Sequence, residues 1–332
     1  MDKFFSRLML CSVAIMTSHT YAAKMCVFDL LGAQGDSYRV MKEWSLQAKK
    51  WGDDVTLKPY TDERVASEDF RAGKCDGVAL TAMRAREYNK FVGSIDAIGA
   101  ILNNKTAQNV IAFTLNSRNA NKMVTENQRY EVIGITPIGP AYLFVNDKSI
   151  NTVAKATGKK IAVLEHDQAQ RKLVQQMGAQ PVASDVSNFA AKFNNGQVDI
   201  VGAPAYAYKP LEIQKGVGTT GGMINLPVLM VTYDILIHPD QFSSGFGQKS
   251  RDWFTAELPK AFTSVARLDA SIPAKIKMNI PQNEQLQYQK TMRDVRIALT
   301  KQGVYNKEMM SVMKRARCSV DKASFECGLS EE

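Results

Sequence analysis

Two stretches of the 332-residue sequence share one pattern: Phe70-Arg71-Ala72-Gly73-Lys74-Cys75-Asp76-Gly77-Val78 and Phe193-Asn194-Asn195-Gly196-Gln197-Val198-Asp199-Ile200-Val201. Phe, Gly, Asp and Val stand at matching positions in both. In this pattern the Phe buries the last turn of a helix, the Gly supplies the left-handed residue that ends it, and the Asp begins a buried strand. The repetition favours two similar α/β halves. The alternative is a chance likeness between two helix-to-strand joints built by common rules.

Apolar runs and amphipathic stretches alternate around the first joint, which indicates strands connected by helices. Met41, Trp44 and Ala48 recur at helical spacing, and they predict a helix with Asp36 as its N-cap and Gly52 at its end. The other predicted elements of this half are strands over 25–31, 55–60 and 77–81 and a short helix over 63–70. This order is a βαβαβ unit.

The same order of elements returns later in the chain. It predicts a strand over 160–164, a helix opened by Asp167 and stopped by Gly178, a helix carrying Val186 and Phe193, and a strand over 198–202. Two further apolar segments, 141–145 and 226–237, flank this second half. We expect them to be strands that pass between the halves and form a hinge.

These elements predict an α/β fold of two βαβαβ lobes, with crossing hinge strands and C-terminal helices. The predicted divisions are a signal segment over 1–22, a first lobe over 23–140 to which 226–332 returns, a second lobe over 141–225, and a C-terminal helical region over 248–332. The apolar stripes of the last helices indicate core packing rather than a cofactor site.

The first 22 residues have the composition of a secretory signal peptide. Lys3 and Arg7 precede a short apolar run that ends in small and polar residues, and cleavage is expected after Ala22 or Ala23. A membrane anchor is the weaker alternative, because about nine apolar residues cannot cross a hydrocarbon core about 30 Å thick. Lipid attachment at Cys11 is a further alternative. The signal predicts the periplasm as the destination.

The mature chain keeps four of the five cysteines, an even number that suits an oxidising compartment. We predict disulfides between Cys26 and Cys75 and between Cys318 and Cys327. The first pair would lie at the starting edge of neighbouring parallel strands, within bridging distance. Free buried thiols are the alternative. The spacing does not resemble a metal site, so no metal is expected.

Charge and motifs limit the functional classes. The net charge is +9, and residues 249–317 hold 14 Lys and Arg against 6 Asp and Glu. A solvated helical face is the simplest interpretation, and docking on an acidic partner or an anionic surface is the alternative; nucleic acid is not expected for an exported chain. The sequence has no GxSxG, HExxH, GxGxxG or Walker motif, so neither an enzyme nor a cofactor is predicted. No apolar stretch is long enough for a polytopic transporter.

Candidate binding residues follow the carboxyl ends of the predicted strands, where ligands of open α/β sheets bind. They are Asp29, Arg84, Arg86, Glu165, His166 and Tyr206. An arginine there can hold a carboxylate, and the acidic and aromatic groups of the second half can receive a cation. The alternatives are solvated arginines, a packed tyrosine and a structural histidine. Asp167 and the loop before the first helix are equally explained by helix capping.

The order of elements resembles that of the periplasmic solute-binding proteins of tripartite ATP-independent (TRAP) transporters, over essentially the whole mature chain. The motifs that carry the resemblance are Phe70-Arg71-Ala72-Gly73-Lys74-Cys75-Asp76, Gly158-Lys159-Lys160-Ile161-Ala162-Val163, and Asn195-Gly196-Gln197-Val198-Asp199 leading to Pro204. Three further stretches are similar to a group of solute-binding proteins, some of which carry the label of an RND-type efflux component linked to aminoglycoside resistance. They are Met25-Cys26-Val27-Phe28-Asp29-Leu30-Leu31-Gly32, Met83-Arg84-Ala85-Arg86 and residues 248–254.

The resemblance implies a two-lobed periplasmic-binding-protein fold that captures a small polar solute in an interlobe cleft, with membrane subunits of a transporter as partners. At Ala162 the sequence departs from the TRAP family, which usually has a substrate-binding arginine there. Two other functions stay open from the sequence. One is an accessory or adaptor protein of the envelope, part of an efflux system, and the other is a protein that sequesters cationic antibiotics.

Overall fold

The computed structural model describes residues 22–125 and 127–331, so the predicted signal peptide lies outside the described residues except for its last position. The described strands are β1 (Ala23–Phe28), β2 (Val55–Tyr60), β3 (Gly77–Thr81), β4 (Glu131–Val145), β5 (Lys160–Leu164), β6 (Gln180–Ser184), β7 (Ile200–Pro204), β8 (Gly222–Ile237) and β9 (Lys277–Met278).

The described α-helices alternate with these strands and then follow them. They are α1 (Asp36–Trp51), α2 (Glu63–Arg71), α3 (Ala82–Ala85), α4 (Asn104–Leu115), α5 (Ala120–Met123), α6 (Val153–Ala156), α7 (Gln168–Gln176), α8 (Phe189–Asn194), α9 (Ala205–Tyr208), α10 (Gln214–Val217), α11 (Phe246–Ala270), α12 (Gln282–Lys301) and α13 (Lys307–Val320). None of them is long and apolar enough to cross a membrane.

The strands form one sheet in the order β2-β1-β3-β8-β4-β7-β5-β6, and β9 pairs with β8 off this path. β1 pairs in parallel with β2 and β3, and β5 pairs in parallel with β6 and β7. The long antiparallel strands β4 and β8 lie between these two groups and pair with each other. We call the β2-β1-β3 group with its helices lobe 1 and the β6-β5-β7 group with its helices lobe 2. The predicted two-lobed α/β fold is confirmed.

The repeated joints are built alike in the two lobes. Phe70 and Phe193 are buried, and Gly73 and Gly196 follow them with φ of 71° and 68°. The Asp76 carboxylate accepts a 2.7 Å hydrogen bond from the backbone N–H of Lys24, at the start of the neighbouring strand. The carboxylate of the matching Asp199 accepts the equivalent 2.8 Å bond from the N–H of Lys160. The repeat is therefore structural, because the same residue types perform the same tasks in both lobes.

The crossing strands are longer than the sequence predicted. β4 begins at Glu131 rather than at residue 141, and β8 begins at Gly222 rather than at residue 226. Two glycines and two prolines interrupt the added part of β4, where the pairing with β8 shifts register, and Gly139 has φ of 133°. Glycine and proline in a sequence usually indicate a turn, although a strand with a β-bulge accommodates them. The predicted lobe boundaries at 140/141 and 225/226 fall inside β4 and β8.

Four predictions about where elements begin or end are corrected by the structure. The first strand ends at Phe28 rather than at residue 31, and β7 covers Ile200–Pro204 rather than 198–202. Helix α8 begins at Phe189, so Val186 lies before it. Asp36 is the first residue of α1 and not its N-cap, because Gly35 occupies the cap position and offers no side chain. The reason is local: the free N–H groups of this helix already have an acceptor in Asp29, as described below.

Both predicted disulfides are present. Cys26 and Cys75 are buried and bonded with their Cα atoms 5.9 Å apart, and they join β1 to the turn that precedes β3. Cys318 and Cys327 are bonded with Cα atoms 5.7 Å apart, and they join the end of α13 to the segment that follows it. The C-terminal helices bury their apolar stripes as predicted: α11 packs on β4, α12 on α7 and α13 on α4.

Candidate functional site

A cavity of about 140 Å³ lies between the two lobes. Lobe 1 contributes Phe28 and Thr81, the last residues of β1 and β3, and lobe 2 contributes the β5 segment 161–164. The crossing strands complete the wall, with Leu143 from β4 and Val231 from β8 among its residues. The cavity therefore lies where parallel strands end and where the chain passes between lobes, a usual position for a ligand site in α/β proteins.

Asp29 caps helix α1 from outside the helix. Its carboxylate accepts hydrogen bonds from the backbone N–H groups of Leu31 (2.8 Å), Ser37 (2.9 Å) and Tyr38 (3.2 Å). Gly35 is required here, because a Cβ on it would lie 1.7 Å from Asp29 Oδ1. The side chain is buried at 1% exposure, and its negative charge faces the positive end of the helix dipole.

Tyr206 reaches Asp29 from the other lobe. Its phenolic hydroxyl donates a 2.6 Å hydrogen bond to Asp29 Oδ1, and the ring lines the cavity. Burial raises the pKa of Tyr206 well above its usual range, and the bond to Asp29 raises it further, so the hydroxyl stays protonated and remains a donor. This contact closes one side of the cleft.

Arg84 lies on lobe 1 and is directed at carboxylates of its own lobe. Its Nε atom is 3.9 Å from Glu63 Oε2, and its Nη1 atom is 3.6 Å from Glu87 Oε1. Glu63 is buried and accepts a 2.7 Å hydrogen bond from the N–H of Thr81. Burial raises the Glu63 pKa, which Arg84 and the Thr81 bond offset in part. Arg84 does not line the cavity.

Arg86 forms a second contact across the lobes. Its guanidinium bonds Asp96 of lobe 1, lies 3.4 Å from Asp167 Oδ1 of lobe 2, and donates through Nε to the carbonyl of Gly93 at 2.8 Å. The Tyr305 ring lies under it, 4.9 Å away. Burial alone would lower the Arg86 pKa, but the nearby carboxylates raise it above its ordinary value. All its donors thus face protein groups.

Asp96 and Asp167 have further tasks beside this arginine. Burial raises the Asp96 pKa to about 6, against the opposing effect of Arg86. Asp167 caps α7 by accepting a 2.9 Å bond from the N–H of Ala169, as the sequence predicted. The pairing with Arg86 gives this cap a second function, because it connects the lobes.

The remaining candidates, Glu165 and His166, directly follow β5, whose residues 161–164 line the cavity. Glu165 is exposed, and its side chain makes no hydrogen bond within the described residues. His166 is half-buried, and burial together with the positive charge of Arg84 lowers its pKa to about 4. The imidazole is therefore neutral near pH 7. Neither residue lines the cavity, so Tyr206 is the one candidate of the six that does.

Sequence reasoning missed the apolar wall of the cavity. Phe28, Leu173, Phe189 and Leu229 line it, and in the sequence each is indistinguishable from a core residue of a buried strand or helix. Position 162 could have indicated this wall, because Ala162 is small and apolar and lies on a strand that lines the cleft. Within residues 22–125 and 127–331 there is no group of three or more His, Cys, Asp or Glu side chains able to hold a metal.

Comparison with solved structures shows which known proteins share this fold. A TRAP periplasmic solute-binding protein from Desulfovibrio salexigens, with bound orotic acid, matches with a TM-score of 0.75 at 13% identity, covering 90% of this chain and 99% of that one. One from Haemophilus influenzae, with bound L-gulonate, matches with a TM-score of 0.72 at 12% identity, covering 89% and 99%. The architecture is shared, as the resemblance implied.

Comparison with the sequences of known proteins identifies the family of this chain. "Probable solute-binding protein AdeT1" of Acinetobacter baumannii is 49% identical over 306 residues, which are 92% of this chain and all of the relative. "Probable solute-binding protein AdeT2" of the same organism is 33% identical over 239 residues, which are 72% of this chain and all of that relative. Residues 45–332 match the model of the family "Solute-binding protein AdeT 1/2". The chain therefore belongs to the AdeT 1/2 family of solute-binding proteins, built on the fold of TRAP periplasmic solute-binding proteins.

Proposed function

We propose that the protein is a periplasmic solute-binding protein that encloses one small molecule between its lobes and presents it to membrane subunits of a transporter. The position of the cavity carries this proposal. Both lobes and both crossing strands form its wall, so an occupant touches all of them at once. A molecule that contacts both lobes stabilises their closed arrangement relative to an open one.

Two polar contacts fix how the lobes meet. The Tyr206–Asp29 bond and the Arg86–Asp167 pair both cross the cleft, and each leaves its polar groups satisfied in the closed arrangement. On opening, water replaces these partners at modest net cost. The occupant then supplies the remaining preference for closure through its contacts with the wall.

The periplasmic location and the domain boundaries belong to this proposal. The signal-like N-terminus and the two disulfides support an oxidising compartment. In this proposal, residues 23–140 and 226–332 move together as the first lobe, and residues 141–225 move as the second. We propose binding without catalysis, because Asp29 is held by helix α1 and Tyr206, and Arg84 and Arg86 face carboxylates of the protein. The adaptor and sequestration hypotheses remain predictions from the sequence.

Native mass spectrometry tests the proposal on the mature protein purified without dialysis. Gly202 lines the cavity with room for a side chain, since a Cβ there would lie 3.8 Å from Leu143 Cδ2. Gly202→Trp should fill the cavity, and Leu46→Trp, at a position 67% exposed on α1, is the matched control. We expect a non-covalent adduct on the wild type and on Leu46→Trp, and none on Gly202→Trp. An adduct that persists on folded Gly202→Trp, or a bare wild type, would contradict the proposal.

A further inference from the structure

We propose that the cavity between the lobes takes an uncharged, mainly apolar molecule, and neither a carboxylate nor a cation. This inference rests on the proposed function and specifies its ligand class. It departs from the polar solute that the sequence led us to expect. The reason lies in the wall of the cavity, which carries no charged side chain, and in the carboxylates of the protein that face the two nearby arginines.

The wall is almost entirely hydrocarbon. Of the 25 residues that line the cavity, four carry a polar side chain, and none is Asp, Glu, Lys, Arg or His. The rest are aliphatic, aromatic or small residues, together with Met83 and Pro204. Burying an apolar molecule against such a wall removes apolar surface from water on both sides, which is the main favourable contribution available here.

The four polar side chains already have partners. Tyr206 donates to Asp29, and the Tyr233 hydroxyl donates to the carbonyl of Phe28. Thr81 Oγ1 accepts from the N–H of Arg84 at 3.4 Å. The Gln170 amide accepts from the N–H of Leu164 at 2.9 Å and donates to Met83 Sδ at 3.3 Å. These bonds leave the Thr81 hydroxyl hydrogen and the second amide hydrogen of Gln170 as donors, so a ligand with more strong acceptors than these two would have to break a bond or leave acceptors unsatisfied.

The charges nearest the cavity are neutralised by the protein. Arg84 faces Glu63 and Glu87, and Arg86 faces Asp96 and Asp167. A carboxylate in the cavity would lose its hydration without meeting a cationic side chain in the wall, and an ammonium group would equally meet no carboxylate there. Both charged classes are disfavoured for the same physical reason.

A fluorescent probe and a matched pair of competitors test the ligand class. The probe is 1-naphthylamine, which is neutral at pH 7 and no larger than the competitors. The competitors are 2-naphthalenemethanol and 2-naphthoate, which have similar shapes and differ in charge. We expect the wild type to bind the probe and 2-naphthalenemethanol to displace it at a concentration at least tenfold lower than 2-naphthoate. Equal potency of the two competitors, or stronger displacement by 2-naphthoate, would overturn the proposal.

A change of charge in the wall gives a second, gain-of-function test. Ile138 lines the cavity and is half-buried, so Ile138→Arg can place a guanidinium at the cavity while its stem packs. We expect this variant to reverse the order of the competitors. Leu46→Arg adds the same charge to the surface of α1 and should leave the order unchanged. An unchanged order in folded Ile138→Arg, judged by circular dichroism, would overturn the proposal.

The outcomes separate the ligand class from the proposed function. A native adduct that Gly202→Trp removes, but that proves to be an acid or an amine by mass, contradicts the ligand class and leaves the binding function standing. A wild type that carries no adduct and binds neither the probe nor either competitor contradicts both.

Discussion

The hydroxyl of Tyr206 in lobe 2 donates a 2.6 Å hydrogen bond to Asp29 in lobe 1, and the same carboxylate accepts three backbone N–H bonds at the start of α1. A single buried acceptor thus serves a helix terminus and the contact between lobes. In the proposed binding cycle, closure of the cleft is coupled to the order of the first turn of α1, because both depend on the position of one carboxylate.

Removing the Tyr206 hydroxyl should weaken this contact and leave the ring in the cavity wall. We expect Tyr206→Phe to lower the free energy of unfolding by about 1.5 kcal/mol, the usual value for a hydrogen bond to a charged group. Urea denaturation measures it. Tyr208→Phe is the control, because that ring stacks on Phe144 and its hydroxyl has no hydrogen bond in the described residues. Equal losses in the two variants would contradict the assigned role of the hydroxyl.

His166 should make stability depend on pH. Its pKa falls from 6.5 to about 4 on folding because of burial and the charge of Arg84, so between these values the unfolded chain binds the proton and the folded chain does not. Stability that is complete above pH 6.5 is therefore lost as the pH falls toward 4. At pH 5 the loss should be at most about 2 kcal/mol.

The His166 contribution is isolated by comparing variants, because other groups such as Asp96 titrate in the same range. We expect His166→Asn to lose less stability than the wild type between pH 7.5 and pH 5, measured by urea denaturation. Parallel curves for His166→Asn and the wild type would show that the histidine titrates alike in both states.

The two joint glycines should respond equally to substitution. Gly73 and Gly196 have left-handed φ, and a Cβ on either would meet nothing within 4 Å, so the cost is purely conformational. We expect Gly73→Ala and Gly196→Ala each to destabilise the fold by about 1 kcal/mol, and Gly73→Asn by less, since Asn tolerates this region better. Thermal unfolding measures these values. A loss at one joint only would argue that the repeat is not energetically equivalent.

Much of the fold could be predicted from the sequence because its joints use strong local rules. Strands β2, β3 and β5 begin and end at the predicted residues, and each has sharp flanking signals. β4 was underestimated because Pro137 and Gly139, which end most strands, lie within it. The strand propensities of single residues cannot show that the pairing of β4 with β8 shifts register at these positions and so accommodates them.

The candidate site was predictable only in part. The rule that ligands gather at strand ends located the cleft and identified Asp29 and Tyr206, which do meet there. The same rule could not tell that Arg84 and Arg86 face carboxylates of the protein itself, because those partners are distant in sequence. An apolar wall gives no sequence signal of its own. Whether apolar side chains fill a space or leave a cavity depends on their packing in three dimensions.

The two disulfides have a consequence for how the molecule moves. Cys26–Cys75 lies wholly within lobe 1, and Cys318–Cys327 joins α13, which packs on α4 of that lobe, to the segment after it. Neither covalent link reaches lobe 2. The disulfides therefore add covalent cross-links to lobe 1 and the helices packed on it, whereas lobe 2 is held by β4, β8 and non-covalent contacts such as that of α12 with α7. A reducing agent should therefore lower the resistance of the fold to heat without changing the lobe movement proposed above.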